Sequence, residues 1–165
     1  MKKETSLPFE EYSGGGRRLL GELRNGSCRY DYGPPVFDEC GTACVYCSRE
    51  LGESYEAWLN LSVDHVVPAG TPWKGGAADW LHDVINCVTA CRACNEFLNG
   101  YRCQVPAPTT LTEFTAIRYR VFREKVSAAG ARHVEEREGY AEWKQRRSAK
   151  RRERGPRRTP SGSQE

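Results

Sequence analysis

The chain has 165 residues, 38% of them hydrophobic, with a mean hydropathy of −0.72 and a net charge of +3. That length suits one small domain with a modest core and polar flanks, and no apolar stretch approaches a bilayer span, so a membrane protein is not expected. Charge is unevenly spread: residues 144–165 hold nine Lys/Arg against Glu153 and Glu165, a net of +7, and the remainder is mildly acidic at −4. A basic tail on an acidic body suits a protein that holds a polyanion through an appendage; a merely solubilising tail is the plain alternative.

In chain order, residues 1–16 are polar, end in Gly14-Gly15-Gly16 and read as a flexible leader. Met1-Lys2-Lys3-Glu4-Thr5 leads into no apolar run, so no secretory signal is expected, and the eight cysteines are expected as reduced thiols in a cytoplasm. Arg17 to Arg24 suggests a short helix with Leu19, Leu20 and Leu23 on one face. Gly26, Gly33, Pro34 and Pro35 then break the chain, so the approach to Cys44 is expected as loop.

Cys44-Val-Tyr-Cys47 is the first of two Cys-x-x-Cys pairs; Cys91 and Cys94 form the second, with 43 residues between the pairs. Four thiolates at this spacing suit a closed tetrahedral structural Zn²⁺ site that fixes the base of the intervening loop. Cys40 lies at an allowed ligand spacing from Cys44 as well, but Cys44/Cys47 match the second pair. Of the other cysteines, Cys87 sits in an apolar run and reads as core, while Cys28 and Cys103 have no obvious partners.

Within that loop, Trp58 to Val63 alternates apolar and polar residues, runs into Asp64-His65-Val66-Val67 and stops at Pro68, the pattern of a strand, or of two short antiparallel strands nearby, with the Asp-His pair near its end. Neighbours on a regular strand face opposite ways, so for Asp64 and His65 to share a site the backbone must twist or end there. Residues 69–83 read as loop with a helical turn at Trp80 and Leu81, and Val84 to Val88 returns the chain to the second pair. A helix is expected from Arg92 to Tyr101, with Asn95 and Asn99 one turn apart on one face; Asn99-Gly100 is also a helix stop. After Pro106 and Pro108, Thr110-x-x-Glu113 is a capping-box signature, followed by Phe114, Ile117, Val121 and Phe122 at helical spacing. Gly130 and Gly139 are expected to interrupt this helix before it dissolves into the tail. His82 and His133 read as surface histidines, and Trp58, Trp73 and Trp80 as core or loop anchors.

Taken together, Cys44-Val-Tyr-Cys47, Val63-Asp64-His65-Val66-Val67-Pro68, Gly75-Gly76 and the run from Asn86 to Asn95 resemble the zinc-bearing branch of the HNH endonuclease family, from about Cys44 to Tyr101. The resemblance implies an α+β fold: a small ββα-metal (His-Me finger) core stapled by the four-cysteine zinc site, with additional C-terminal helices. The expected organisation is a leader at 1–16, a nuclease core at 17–105, a helical extension at 106–143 and a basic disordered tail at 144–165. The resemblance also implies roles: His65 is the general base and Asn86 the second catalytic residue, pinning the loop between the strands. Asp64 and Asn95 hold a catalytic divalent cation. Asn95 stands where the family often has His, and an amide oxygen suits Mg²⁺ or Mn²⁺. Arg146, Arg147, Lys150, Arg151, Arg152 and Arg154 are the expected DNA-backbone contacts. Two readings stay open: a metal-dependent DNA endonuclease, and a zinc-stapled nucleic-acid-binding module without activity.

Overall fold

The structure, a computed structural model, describes residues 28–153. The leader, the Arg17–Arg24 segment, Arg154 and the rest of the tail lie outside the described residues. The described residues up to Gly130 form one compact unit and those from Ala131 another.

At the centre of the first unit is a two-stranded antiparallel sheet, β1 (Leu61–His65) and β2 (Cys87–Cys91), in the register Leu61 with Cys91 and His65 with Cys87. Helix α4 (Arg92–Leu98) follows β2 without a loop, giving the expected ββα unit within an α+β fold. All five residues of β2 are buried. A strand covered on both faces reads as an unbroken apolar run rather than an alternating one. One cover is α1 (Gly33–Cys40), which buries Val36 and Phe37 and packs on β2.

That helix corrects the expectation of loop. Pro34 and Pro35 stand in its first turn, where backbone N–H groups have no intrahelical acceptor, so the prolines start the helix instead of breaking it. Gly33 is required by space: a Cβ there would lie 2.2 Å from the Cys28 carbonyl oxygen. The strand preceding Asp64 is shorter than expected. Tyr55–Trp58 forms a single helical turn, α2, because Ser54 caps it by accepting a hydrogen bond from the Ala57 N–H at 3.1 Å. Between the strands lie a short helix, α3 (Gly76–Asp79), and two 3-10 turns at Trp80–His82 and Val84–Asn86.

Helix α5 (Leu111–Glu153) begins where Thr110 Oγ1 accepts the Glu113 N–H at 3.2 Å, while Glu113 reaches back to the Thr109 N–H at 2.6 Å, one residue earlier than a standard capping box. In the first unit its buried stripe is Phe114, Arg118, Val121, Phe122, Lys125 and Ala129. Phe114 packs against both Trp73 and Trp80. The expected interruptions at Gly130 and Gly139 are absent, and residues 144–153, expected as disordered, are helical. Each glycine costs about 1 kcal/mol relative to alanine. Neighbouring turns offset it, and past Gly130 Arg132 pairs with Glu135 at 2.7 Å and Glu136 at 2.9 Å. In the second unit nearly every residue of the helix is exposed. No helix among the described residues is long and apolar enough to cross a membrane.

Candidate functional site

The four predicted zinc ligands come together. The sulfurs of Cys44, Cys47, Cys91 and Cys94 all lie within 4.8 Å of one another. In a tetrahedron with Zn–S bonds of about 2.3 Å the sulfurs stand about 3.8 Å apart, and the Cys47–Cys91 separation is 3.8 Å. A disulfide would need about 2.0 Å, and none of the four cysteines is in a disulfide. The donor set and spacing therefore fit Zn²⁺.

Short-range backbone geometry builds the cluster. Cys44 N–H donates to Arg49 O and Ser48 N–H to Cys44 O, closing a tight turn in which Ser48 takes a positive φ of 58°. Val45 N–H donates to Thr89 O at 3.1 Å, docking this turn on β2. Cys91 ends β2 and caps α4, its sulfur accepting the Cys94 N–H at 3.5 Å. Packed so closely, the thiols perturb one another: hydrogen bonds from Cys91 and Cys94 hold Cys44 far below the usual thiol range, and the same contacts drive Cys94 upward. Burial pushes Cys47 up to about 11. A metal takes up the thiolate form. Cys40 stands outside the cluster and donates weakly to the Cys87 carbonyl at 3.8 Å.

Asp64, His65, Asn95, Asn99, Tyr101 and Lys125 line a cavity of about 230 Å³. Asp64 and His65 reach one cavity because β1 ends at His65. The chain then turns: Val66 N–H donates to Asn86 O at 2.8 Å. Asn86 is fully buried and its amide is spent on the backbone. Its Oδ1 accepts from Val67 N–H at 3.0 Å, and its Nδ2 donates to Val67 O at 2.8 Å and Leu81 O at 3.0 Å. Asn86 thus does not line the cavity; it fixes the segment that follows His65. Asn95, from α4, donates to Ser62 Oγ at 2.9 Å. Burial pushes the His65 imidazole below its ordinary pKa, so the neutral, proton-accepting form prevails near neutrality. His82, exposed as expected, holds its ring 6.0 Å from that of His65.

Residues 44–98 match the family model described as HNH endonuclease. No curated protein and no solved structure matches the chain. The HNH segment covers both cysteine pairs, both strands and α4, and it ties this part of the chain to a nuclease-type or nucleic-acid-related function.

Two residues of the site carry no signature in the sequence motifs. Tyr46, inside the first cysteine pair, donates its hydroxyl to Asp64 Oδ2 at 2.5 Å. Burial and the adjacent carboxylate raise the phenol well above its usual pKa, keeping it a donor. Lys125, on α5 and outside the HNH segment, donates to the same Oδ2 at 2.8 Å and to the His65 carbonyl at 2.7 Å. A lysine and an arginine on a stripe otherwise apolar, at Arg118 and Lys125, were the available signal.

The predicted nucleic-acid contacts fall on the last turns of α5. Arg146, Arg147, Lys150 and Arg152 are exposed, and the Arg147 guanidinium lies 5.2 Å from the Trp143 ring centre. At 100° per residue Arg146, Arg147 and Lys150 share one side of the helix, within about 100°. Arg151 belongs to the helix by its backbone, and Arg154 lies outside the described residues.

Proposed function

We propose that the chain is a divalent-cation-dependent endonuclease acting on DNA, with His65 as general base and Asp64 and Asn95 as ligands of Mg²⁺ or Mn²⁺. The observation that carries this is the convergence of a neutral imidazole, a carboxylate and an amide on one cavity within the HNH segment. Hard oxygen donors of this kind fit a hard cation. When bound, such an ion supplies positive charge where the attacked phosphate gathers negative charge.

The chain's own residues account for the rest. His65, deprotonated at neutrality through burial, accepts the proton of the attacking water. β1 ends at His65, and Asn86 pins the segment that follows it through Val67 N–H and Val67 O. Tyr46 and Lys125 fix the rotamer of Asp64 by bonding one of its two oxygens. Arg146, Arg147, Lys150, Arg151, Arg152 and Arg154 contact the phosphate backbone and contribute affinity without sequence preference.

One observation favours a second reading, a zinc-stapled binding module without activity: the Lys125 ammonium already satisfies Asp64 as a cation would. A single experiment separates the two. Zinc-loaded protein is incubated with supercoiled plasmid, with and without Mg²⁺ or Mn²⁺, beside His65→Ala. Nicked or linear product that requires the ion and is lost in the variant supports the endonuclease; DNA binding with no product under any condition supports the module.

A further inference from the structure

Lys125 is 1% exposed, and its ammonium lies in the same cavity as Asp64, His65 and Asn95. Asp64 Oδ2 takes two donors, Tyr46 and Lys125, which leaves that oxygen little capacity for a third partner. The pair also cancels in charge. Among the other cavity residues Asn95 and Asn99 are neutral amides and no second carboxylate among the described residues lines the cavity, so it offers a divalent ion oxygen atoms but little net negative charge. Affinity for hard cations follows the number of charged ligands, and a like charge nearby opposes the ion.

Resting on the endonuclease reading above, we propose that Lys125 is a positioning residue that holds Asp64 in place while keeping the bare cavity a weak divalent-cation site. The ion is then taken up together with the DNA phosphate, whose negative charge completes the site. A merely structural lysine, clamping α5 to β1, predicts the opposite: its removal would loosen the carboxylate and weaken ion binding or leave it unchanged.

The test is Mn²⁺ titration of the zinc-loaded full-length chain, read by calorimetry and by the Mn²⁺ spin signal, for wild type, Lys125→Met, Lys125→Gln and Asp64→Asn. Mn²⁺ is chosen because it competes poorly for thiolates. Lys125→Met is expected to bind Mn²⁺ about tenfold or more tightly than wild type while cleaving more slowly. Lys125→Gln, which keeps a donor but no charge, is expected to show a smaller gain in the same direction. Unchanged or weaker Mn²⁺ binding in the folded variants, with wild type still cleaving, overturns the role of Lys125 alone. The wild-type chain supplies a reading that no folding defect touches. Its Mn²⁺ affinity should rise about tenfold when a phosphorothioate duplex is added, after subtraction of binding to the duplex itself, and equal affinities overturn the proposal. If wild type does not cleave and Asp64→Asn leaves Mn²⁺ binding as it was, the endonuclease reading falls and this inference with it.

Discussion

The cysteine cluster and the cavity lie on the same ββα frame and are built on contrasting plans. The cluster takes four identical soft donors, two from a tight turn and two from the β2–α4 junction, and brings them close enough that one ion satisfies all of them. The cavity takes unlike donors from β1, α4 and α5 and leaves room between them. A closed set of thiolates stabilises a fold, whereas an open set of oxygen and nitrogen donors leaves positions for a substrate. On the reading proposed above, the first centre holds the geometry of the second.

The strongest way to break that contrast is to remove a thiolate. Cys91→Ser is expected to abolish cooperative thermal melting and zinc content together, since structural zinc in finger-sized peptides carries about 10–16 kcal/mol of apparent free energy. A normal circular-dichroism melt with no zinc by elemental analysis would show that the cluster is dispensable. Next comes His65→Ala, expected to lower plasmid cleavage about 10²- to 10⁴-fold with zinc content and DNA affinity nearly unchanged. Wild-type cutting by this variant would remove the imidazole from the chemistry.

Asn86→Ala sharpens the comparison, because this residue belongs to neither centre and supports the cavity only through the backbone. It strips partners from Val67 N–H, Val67 O and Leu81 O, and each buried polar group left unmet costs about 1–3 kcal/mol. A loss of about 3 kcal/mol in urea unfolding is expected, with reduced cleavage and full zinc content; a loss below about 1 kcal/mol would argue that water replaces the amide. The smallest effect is expected from truncation after Trp143. Every phosphate that the shortened chain no longer neutralises should flatten the log–log salt dependence of DNA binding by about 0.9, as read by fluorescence anisotropy, and an unaltered slope would leave the basic turns without that task.

What the sequence made legible is what short spacing encodes. Two Cys-x-x-Cys pairs, an Asp-His step and an Asn just past the last cysteine have local signatures, and the structure brings Asp64, His65 and Asn95 to one cavity and the four sulfurs to one cluster. Lys125 stayed hidden because its partner Asp64 is 61 residues away, and no periodicity announces which carboxylate a buried lysine will meet. Helix α1 was missed because proline breaks a helix anywhere but its first turn, and the sequence does not say where that turn lies. The continuity of α5 was missed because a glycine's local cost, about 1 kcal/mol, is small beside what a long helix gathers from its neighbours.

Cys94 and Asn95 are consecutive on α4, one facing sulfur and the other the cavity. Loss of an ion held by the cluster would therefore carry the α4 amide out of register with the imidazole at the end of β1. On the endonuclease reading proposed above, chelators and thiol oxidants should thus stop cleavage remotely, acting on sulfur while the carboxylate and imidazole remain chemically intact.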